Sequence, residues 1–141
     1  MYESSDQALN KLDVKVRLDL NNGSTGPQIL ARVQRLTTAT KTMTVQDSGT
    51  YLFCAYAGAT TVTLPTTLLS GWHAWFIQSV DQDLTVAAGA IDTLVTFNDL
   101  EADSVAYSTT SNQIGQMIFV ICDGVKYHAF DVTKGTFTVN T

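Results

Sequence analysis

The feature that most constrains the fold is a succession of short segments in which apolar and polar residues alternate. The clearest one covers residues 12–20, with Leu12, Val14, Val16, Leu18 and Leu20 on one face and Asp13, Lys15, Arg17 and Asp19 on the other. Alternation with a period of two residues is typical of a β-strand that has one apolar face. The segment is therefore predicted to be a strand.

Beyond residue 41 similar segments recur about every ten residues. The predicted strands are Thr42–Gln46, Thr50–Tyr56, Thr60–Leu64, Trp72–Val80, Leu84–Ala87, Thr93–Phe97, Ser104–Tyr107, Gln116–Cys122, Val125–Asp131 and Thr136–Val139. Turn residues separate them, and Asp123-Gly124 predicts a type I′ hairpin, in which both central residues have positive φ. Many short strands indicate a sandwich, jelly roll or barrel. We predict an all-β jelly roll or β-sandwich of antiparallel strands.

The N-terminal part differs from the remainder in charge. Residues 1–41 hold six basic and four acidic side chains, whereas residues 42–141 hold two basic and nine acidic ones, within a net charge of −5. A mildly basic segment joined to an acidic body is typical of an arm that meets an acidic neighbour. We therefore predict an N-terminal arm at 1–41 and a β-sandwich body at 42–141. Within the arm, residues 28–36 fit a short helix and a strand equally well.

Chemically reactive side chains form no recognisable catalytic or metal-binding motif. His73 and His128 each alternate with aromatic residues and have no ligand at metal-binding spacing. The acidic groups at Asp81 and Asp83, and at residues 99–103, lack the spacing of a calcium loop. No nucleophile elbow or phosphate-binding glycine pattern is present. We predict no enzymatic activity, no cofactor and no metal.

The two cysteines and the two tryptophans each allow two interpretations. Cys54 and Cys122 lie in apolar strands, which favours buried free thiols, while a disulfide between neighbouring strands stays open. Trp72 and Trp75 are three residues apart, so a regular strand directs them to opposite faces. One is then expected in the core, and the other is a candidate exposed aromatic contact with a protein or a sugar.

Composition also limits the classes of partner that are expected for this chain. A pI of about 4.6 and the lack of a basic stripe exclude nucleic acid as the expected partner. No apolar stretch reaches the roughly 20 residues of a membrane span, and the N-terminus does not have the pattern of a signal peptide. We expect a protein that is assembled in a cytoplasm.

Residues 42–80 carry a pattern that resembles small virion proteins of tailed bacteriophages. It consists of Thr42–Val45, the turn and strand Asp47–Tyr51, Ala59–Pro65, and Gly71 followed by the aromatic strand Trp72–Val80. The hairpin at residues 115–130 is a looser match, and Thr50 stands where the family often has lysine. The pattern resembles head-decoration (cement) proteins and the β-domains attached to capsids or fibres.

The resemblance implies a structural role on the outside of a virion capsid. It implies binding to the major capsid protein, stabilisation of the shell, and assembly with itself as a homodimer or homotrimer. The strand at residues 12–20 would add to a neighbouring chain. The expected contact residues are Leu12, Val14, Val16, Arg17, Leu18, Leu20, Arg32 and Arg35. The alternative is a receptor-binding or fibre-linked β-module that presents Trp72 or Trp75 to carbohydrate or to the host surface.

Overall fold

The computed structural model describes residues 31–108, 113–133, 135 and 137–141, and these form two packed β-sheets. The larger sheet contains β1 (Arg32–Leu36), β3 (Thr50–Cys54), β5 (His73–Gln78), β7 (Leu94–Thr96), β8 (Asp99–Ala102), β10 (Met117–Cys122) and β11 (Tyr127–Asp131). The smaller sheet contains β2 (Thr40–Thr42), β4 (Thr60–Thr63), β6 (Leu84–Ala87), β9 (Ser104–Tyr107) and β12 (Phe137–Asn140). Within this range the only helical segment is the 3₁₀ turn Val45–Asp47.

The first six strands wind as a flattened coil. The chain passes alternately between the two sheets, so that β1, β3 and β5 are parallel neighbours in one sheet and β2, β4 and β6 are parallel neighbours in the other. Parallel neighbours need a crossover, and here each crossover is the intervening strand of the opposite sheet. The coil therefore builds half of both sheets at once.

The later strands extend each sheet mainly by antiparallel pairing, although β7 pairs with β11 in parallel. In the larger sheet β10 pairs with β5 and β11 pairs with β10; in the smaller sheet β9 pairs with β6 and β12 with β9. The order in the larger sheet is β1-β3-β5-β10-β11-β7-β8, and in the smaller sheet β12-β9-β6-β4-β2. The strands β5 and β6 thus join the parallel coil to the later strands of each sheet.

The core lies between the two sheets and comes from alternate residues of each strand. Val62, Leu84 and Val86 of the smaller sheet face Phe76 and Val120 of the larger sheet, and all five are fully buried. This alternation of inward and outward residues is the pattern expected of a sandwich. The all-β class and the sandwich are confirmed. The jelly roll is not confirmed as the specific arrangement, since jelly-roll sheets are antiparallel and these are mixed.

Most predicted strands are present, with boundaries moved by one or two residues, but three assignments change. Residues 42–46 are not one strand, because β2 ends at Thr42 and a 3₁₀ turn follows. Within residues 28–36, the described part is the strand β1. The strand β8 was not predicted, since its acidic sequence indicated a turn.

The pairing of the first two strands also places the start of the body before residue 42. Arg32–Leu36 pairs with β3 and Thr40–Thr42 pairs with β4. Residues 32–36 and 40–41, which the sequence placed in the arm, are therefore parts of the sandwich, and the compact unit begins at Arg32. The predicted strand at residues 12–20 lies outside the described residues.

The predicted hairpin between β10 and β11 is present with a different turn. The amide of Asp123 donates to the carbonyl oxygen of Lys126, so Gly124 and Val125 are the central residues. Only Gly124, at φ 98°, has a positive φ in this turn. Type I′ requires positive φ at both central positions, so that assignment is wrong, and glycine first in the turn fits type II′.

Candidate functional site

A row of aromatic side chains crosses the outer face of the larger sheet. Tyr51, Trp75, Phe119 and Phe130 lie in register on β3, β5, β10 and β11 and are called here the aromatic row. Val33 on β1 continues the row at one end, opposite Tyr51. Each of these residues alternates with inward residues of the core, so all of them face away from the smaller sheet. The row spans five neighbouring strands.

The rings of the aromatic row pack against one another. The ring centroids of Tyr51 and Trp75 are 5.7 Å apart with planes at 7°, and those of Trp75 and Phe119 are 4.3 Å apart. Phe119 and Phe130 follow at 6.3 Å with planes at 23°. Ring distances in this range are favourable contacts. Trp75 therefore has an aromatic neighbour on each side.

Two further rows flank the aromatic row on the same face. The first flanking row comprises Arg35, Phe53, Ile77 and Met117. The second flanking row comprises His73, Ile121, His128 and Val95. The three rows together are called the apolar face. No residue of these rows is acidic, although the body from residue 42 onward is strongly acidic.

The apolar face is most exposed at its two ends. Val33 is 61% exposed and Phe130 is 51% exposed, whereas the aromatic residues between them are half-buried. Beyond Phe130 the strands β11 and β7 diverge and leave a groove of about 360 Å³, lined by Phe97, His128 and Phe130 among others. Phe97 has a positive φ of 48° and is 72% exposed. Apolar exposure of this extent is unusual on a soluble domain unless a partner covers it.

Charged groups lie at the margins of the apolar face. At one margin the Asp123 carboxylate is 2.8 Å from Nε2 of His128. Hydrogen bonds from the backbone N–H of Lys126, from His128 and from the N–H of Val125 hold the pKa of Asp123 far below its usual range. At the end of β11 the Asp131 carboxylate lies on the opposite, inner side of the larger sheet, where it accepts a hydrogen bond of 2.5 Å from the hydroxyl of Tyr107. Burial, followed by that contact with Asp131, raises the pKa of Tyr107.

The two tryptophans lie on opposite sides of the larger sheet. Trp72 is 1% exposed, and its indole N–H donates to the carbonyl oxygen of Thr44 at 3.1 Å. Trp72 is therefore a core residue, and as an exposed aromatic contact it is ruled out. Trp75 is half-buried at the centre of the aromatic row.

The two predicted arginine contacts have different surroundings. Arg32 donates to the backbone oxygen of Gln46 and lies 3.5 Å from the Asp47 carboxylate, so its charge is partly neutralised within the chain. Arg35 is exposed at the end of the first flanking row. The remaining predicted contacts, Leu12, Val14, Val16, Arg17, Leu18 and Leu20, lie outside the described residues.

Sequence reasoning did not identify Tyr51, Phe119 and Phe130 as surface residues that act together. Each was recognised only as part of an apolar strand. The alternation within each strand places these side chains on the face opposite the core. What the sequence lacks is the strand order, since β3, β5, β10 and β11 are neighbours through one parallel and two antiparallel pairings.

The outer face of the smaller sheet has a different composition and is called here the threonine face. Its outward residues are Thr40, Thr42, Thr61, Thr63, Thr85, Ala87, Ser104, Ala106, Thr138 and Asn140. None of these is aromatic or charged. All are half-buried or exposed, and their hydroxyl groups and short side chains suit contact with water.

Groups with potential reactivity are few in the described part of the chain. No group of three or more His, Cys, Asp or Glu side chains there is arranged to hold a metal ion. Cys54 and Cys122 are free and buried, and burial raises the pKa of Cys54 to about 12. A thiol with a raised pKa is a weak nucleophile at neutral pH. Across the same residues, no helix has the length and apolarity to cross a bilayer.

Comparison with protein-family models and with curated proteins gives no match for this chain. The apolar face is therefore the main guide to function.

Proposed function

We propose that this chain is a non-enzymatic structural protein of a bacteriophage virion, a capsid decoration protein that stabilises the shell through contacts between protein chains. The observation that carries this proposal is the apolar face, in which aromatic and aliphatic side chains lie in register across five strands. A surface of this kind is stabilised when another chain covers it, because water is released from the apolar area.

The composition of the apolar face supports a protein partner. Interface centres are enriched in aromatic residues, methionine and arginine and depleted in acidic residues. The apolar face has the aromatic row at its centre, Met117 and Arg35 in a flanking row, and no acidic residue. The chain as a whole is also poor in charge, at 15%. A protein that is covered by neighbours needs fewer charged residues to stay in solution.

Attachment to the shell would use the basic N-terminal part and the adjoining edge of the sandwich. Arg35 lies on β1, the edge strand of the larger sheet, and is exposed. Arg35 belongs to the N-terminal part of the chain, which holds most of the basic residues. Arg35 is the better candidate of the two described arginines, because Arg32 is paired with Asp47. The partner expected from the resemblance is the major capsid protein.

The alternative, a receptor-binding or fibre-linked module, has less support from the geometry. A sugar ring stacks on the flat face of an exposed aromatic side chain. Trp72 is buried, and Trp75 is half-buried between the rings of Tyr51 and Phe119. Rings that pack against one another in this way fit a protein interface better than a sugar.

The test is co-sedimentation of the purified full-length chain with emptied capsids of the phage that encodes it. We expect saturable binding and a higher melting temperature of the shell, since a ligand that binds only the assembled state stabilises it. Arg35→Glu is expected to lower occupancy, while the matched change Lys126→Glu on the β10–β11 hairpin leaves it unchanged. Absence of co-sedimentation, together with binding to host cells, would replace the proposal by the receptor-binding alternative.

A further inference from the structure

We propose that one end of the sandwich carries a calcium site, formed by the carboxylates of Asp81 and Asp83 and the side-chain oxygens of Gln78 and Gln113. These four residues are called here the acidic end cluster. None of them belongs to the apolar face, so the site is separate from the surface that carries the proposed function. Its ligands come from parts of the chain that are distant in sequence and meet at this end of the fold.

The two carboxylates of the cluster contact the same glutamine. Asp81 and Asp83 lie in the connection between β5 and β6, whereas Gln113 precedes β10. The backbone N–H of Gln113 donates to Oδ1 of Asp81 at 3.3 Å, and its side-chain Nε2 donates to Oδ1 of Asp83 at 3.2 Å. A single residue therefore holds both acidic groups beside it.

Two buried amide oxygens of the cluster have no hydrogen-bond donor. Gln78 and Gln113 are each only 1% exposed, and Oε1 of each has no partner. Nε2 of Gln78 donates to the backbone oxygen of Gln82, the residue between the two aspartates. A buried carbonyl oxygen without a donor is destabilising, so such atoms are expected to meet a bound water or a cation.

Charge favours a cation over water alone. Asp81 and Asp83 are exposed, and no ion pair in the described part of the chain includes either of them. Two carboxylates held beside one residue repel each other, and a cation bound by both offsets this repulsion. The buried amide oxygens and the charged carboxylates thus call for the same kind of ligand.

The chemistry of the donor set points to calcium. All four side chains offer oxygen, as carboxylate in Asp81 and Asp83 and as neutral amide in Gln78 and Gln113. Ca²⁺ takes carboxylate, amide and water oxygens in a flexible geometry, whereas Mg²⁺ needs a regular octahedron and loses water reluctantly. Zinc and copper prefer nitrogen and sulfur ligands. Water completes the coordination of calcium on the exposed side of the cluster.

Calcium binding requires the amide of Gln113 to rotate. In the structure Nε2 of Gln113 faces Asp83. Half a turn about the last side-chain bond exchanges Nε2 and Oε1, so that the oxygen faces the carboxylates. The hydrogen bond to Asp83 is lost, and coordination of the cation by both residues replaces it.

The affinity is expected to be low, because only two of the four side-chain ligands are charged and both are exposed. Calcium sites of extracellular modules have dissociation constants of about 0.1–1 mM, and we expect a value in this range. The spacing of Asp81 and Asp83 did not indicate the site. Among the described residues no third acidic side chain or histidine joins them, and the two glutamines are brought in by the fold.

The first test is thermal unfolding of the full-length chain, freed of metal by a chelator and then titrated with CaCl₂. We expect a saturable rise of the melting temperature, by about 5 °C at ten times the dissociation constant. NaCl of equal ionic strength and MgCl₂ are expected to have smaller effects. Equal shifts with the three salts, or no shift up to about 10 mM CaCl₂, would overturn the proposal.

The second test compares two changes that each remove one negative charge. Asp83→Asn keeps the size of the side chain and is expected to raise the dissociation constant for calcium at least about tenfold. Asp92→Asn is the matched control, at an exposed acid outside the cluster whose positive φ of 58° asparagine tolerates. It is expected to alter the dissociation constant less than about twofold. Equal effects of the two changes would mean that calcium acts only through net charge.

A third change adds a charged ligand and keeps the proposal testable if Asp83→Asn does not fold. Gln113→Glu places a third carboxylate beside Asp81 and Asp83. Without calcium this variant is expected to melt below the parent because of repulsion, and calcium is expected to bind it at least about tenfold more tightly. A lower melting temperature without a gain in calcium affinity would show that Gln113 acts only through its hydrogen bonds.

Nuclear magnetic resonance locates the bound ion. Calcium is expected to shift the side-chain amide signals of Gln78 and Gln113 and the backbone N–H signals of residues 81–83. The signals of the apolar face should stay in place. Shifts that centre on other acidic residues would place the ion elsewhere and refute the assignment, and they would leave the proposed binding to capsids untouched.

Discussion

The two outer faces of the sandwich are built by the same alternation and yet differ completely in chemistry. On the larger sheet the outward positions hold the aromatic row and its flanking rows; on the smaller sheet they hold threonine, serine, alanine and asparagine. Both inner faces are mainly apolar, with a few buried polar residues such as Thr50, Gln78 and Thr96. The period of the pattern therefore determines which residues point outward, and only the identity of those residues shows whether the face meets water or another chain.

The difference also has an energetic side. Aromatic residues in register contribute contacts with each other in addition to any contact with a partner. Trp75 stabilises the sandwich through Tyr51 and Phe119 even in a single copy. Threonine side chains on the smaller sheet favour the extended backbone but bury little area. We expect changes on the apolar face to affect both folding and association, and changes on the threonine face to affect mainly folding.

The largest expected effect is a loss of stability of the whole sandwich, which carries both outer faces. Gly89 follows β6 in the connection towards the larger sheet, and a Cβ atom there would lie 2.4 Å from the carbonyl oxygen of Leu64 and 2.5 Å from that of Pro65. Gly89→Ala is expected to lower the free energy of unfolding by about 2–3 kcal/mol, because backbone must move to relieve the overlap. Urea denaturation measures this. Gly71→Ala is the contrasting change, since a Cβ there meets nothing within 4 Å and only its φ of 85° opposes alanine.

The next effect compares the stability cost of one change on each of the two outer faces. Trp75→Ala removes the central ring of the aromatic row and is expected to cost about 2 kcal/mol of unfolding free energy, less than a fully buried tryptophan. Thr85→Ala, at the centre of the threonine face, is expected to cost about 0.5 kcal/mol. Denaturation at low protein concentration, where monomer dominates, gives both values. Equal costs would show that the rings of the aromatic row contribute little to the fold.

A smaller effect is expected from a double change that makes the threonine face more like the apolar face. Thr61 and Thr85 lie opposite each other on β4 and β6. Changing both to valine keeps the shape and is expected to raise stability by about 0.5 kcal/mol, since valine favours strands and loses no buried hydrogen bond there. Sedimentation at high concentration should then reveal additional self-association. Unchanged sedimentation would show that branched aliphatic residues alone do not make a contact surface.

The smallest effect concerns the acid at the margin of the apolar face. Because hydrogen bonds lower the pKa of Asp123 in the folded state, ionised Asp123 stabilises the fold above its unfolded pKa of about 3.9. This stabilisation is lost as the pH falls below that value towards the folded pKa. Asp123→Asn is therefore expected to be less stable than the parent at pH 7, with the difference shrinking below about pH 4. Thermal unfolding at several pH values checks the sign.

The fold class was accessible from the sequence because alternation and turn residues are local signals. Strands such as Leu84–Ala87 and Ser104–Tyr107 were predicted with their observed limits. The strand β8 was missed, because Asp99 and Glu101 point to solvent on an edge strand where acidic residues are tolerated. The mixed pairing of the sheets could not be predicted, since it depends on contacts between residues that are distant in sequence.

The candidate site was predictable only in part. The placement of Trp72 and Trp75 on opposite sides followed from their spacing. The aromatic row did not, because Trp75 and Phe119 become neighbours only when β10 pairs with β5. The pairing of Arg32 with Asp47 was also hidden, since it requires β1 to lie beside the 3₁₀ turn.

The coiled order of the first six strands has a consequence for synthesis on the ribosome. Each parallel strand can join its predecessor as it emerges, but one edge of β5 and one edge of β6 stay unpaired until β10 and β9 have been made. A product that stops before residue 100 would therefore expose two open sheet edges, with Trp75 beside one of them. Such fragments are expected to aggregate, so complete translation protects the cell from the same residues that serve the finished protein.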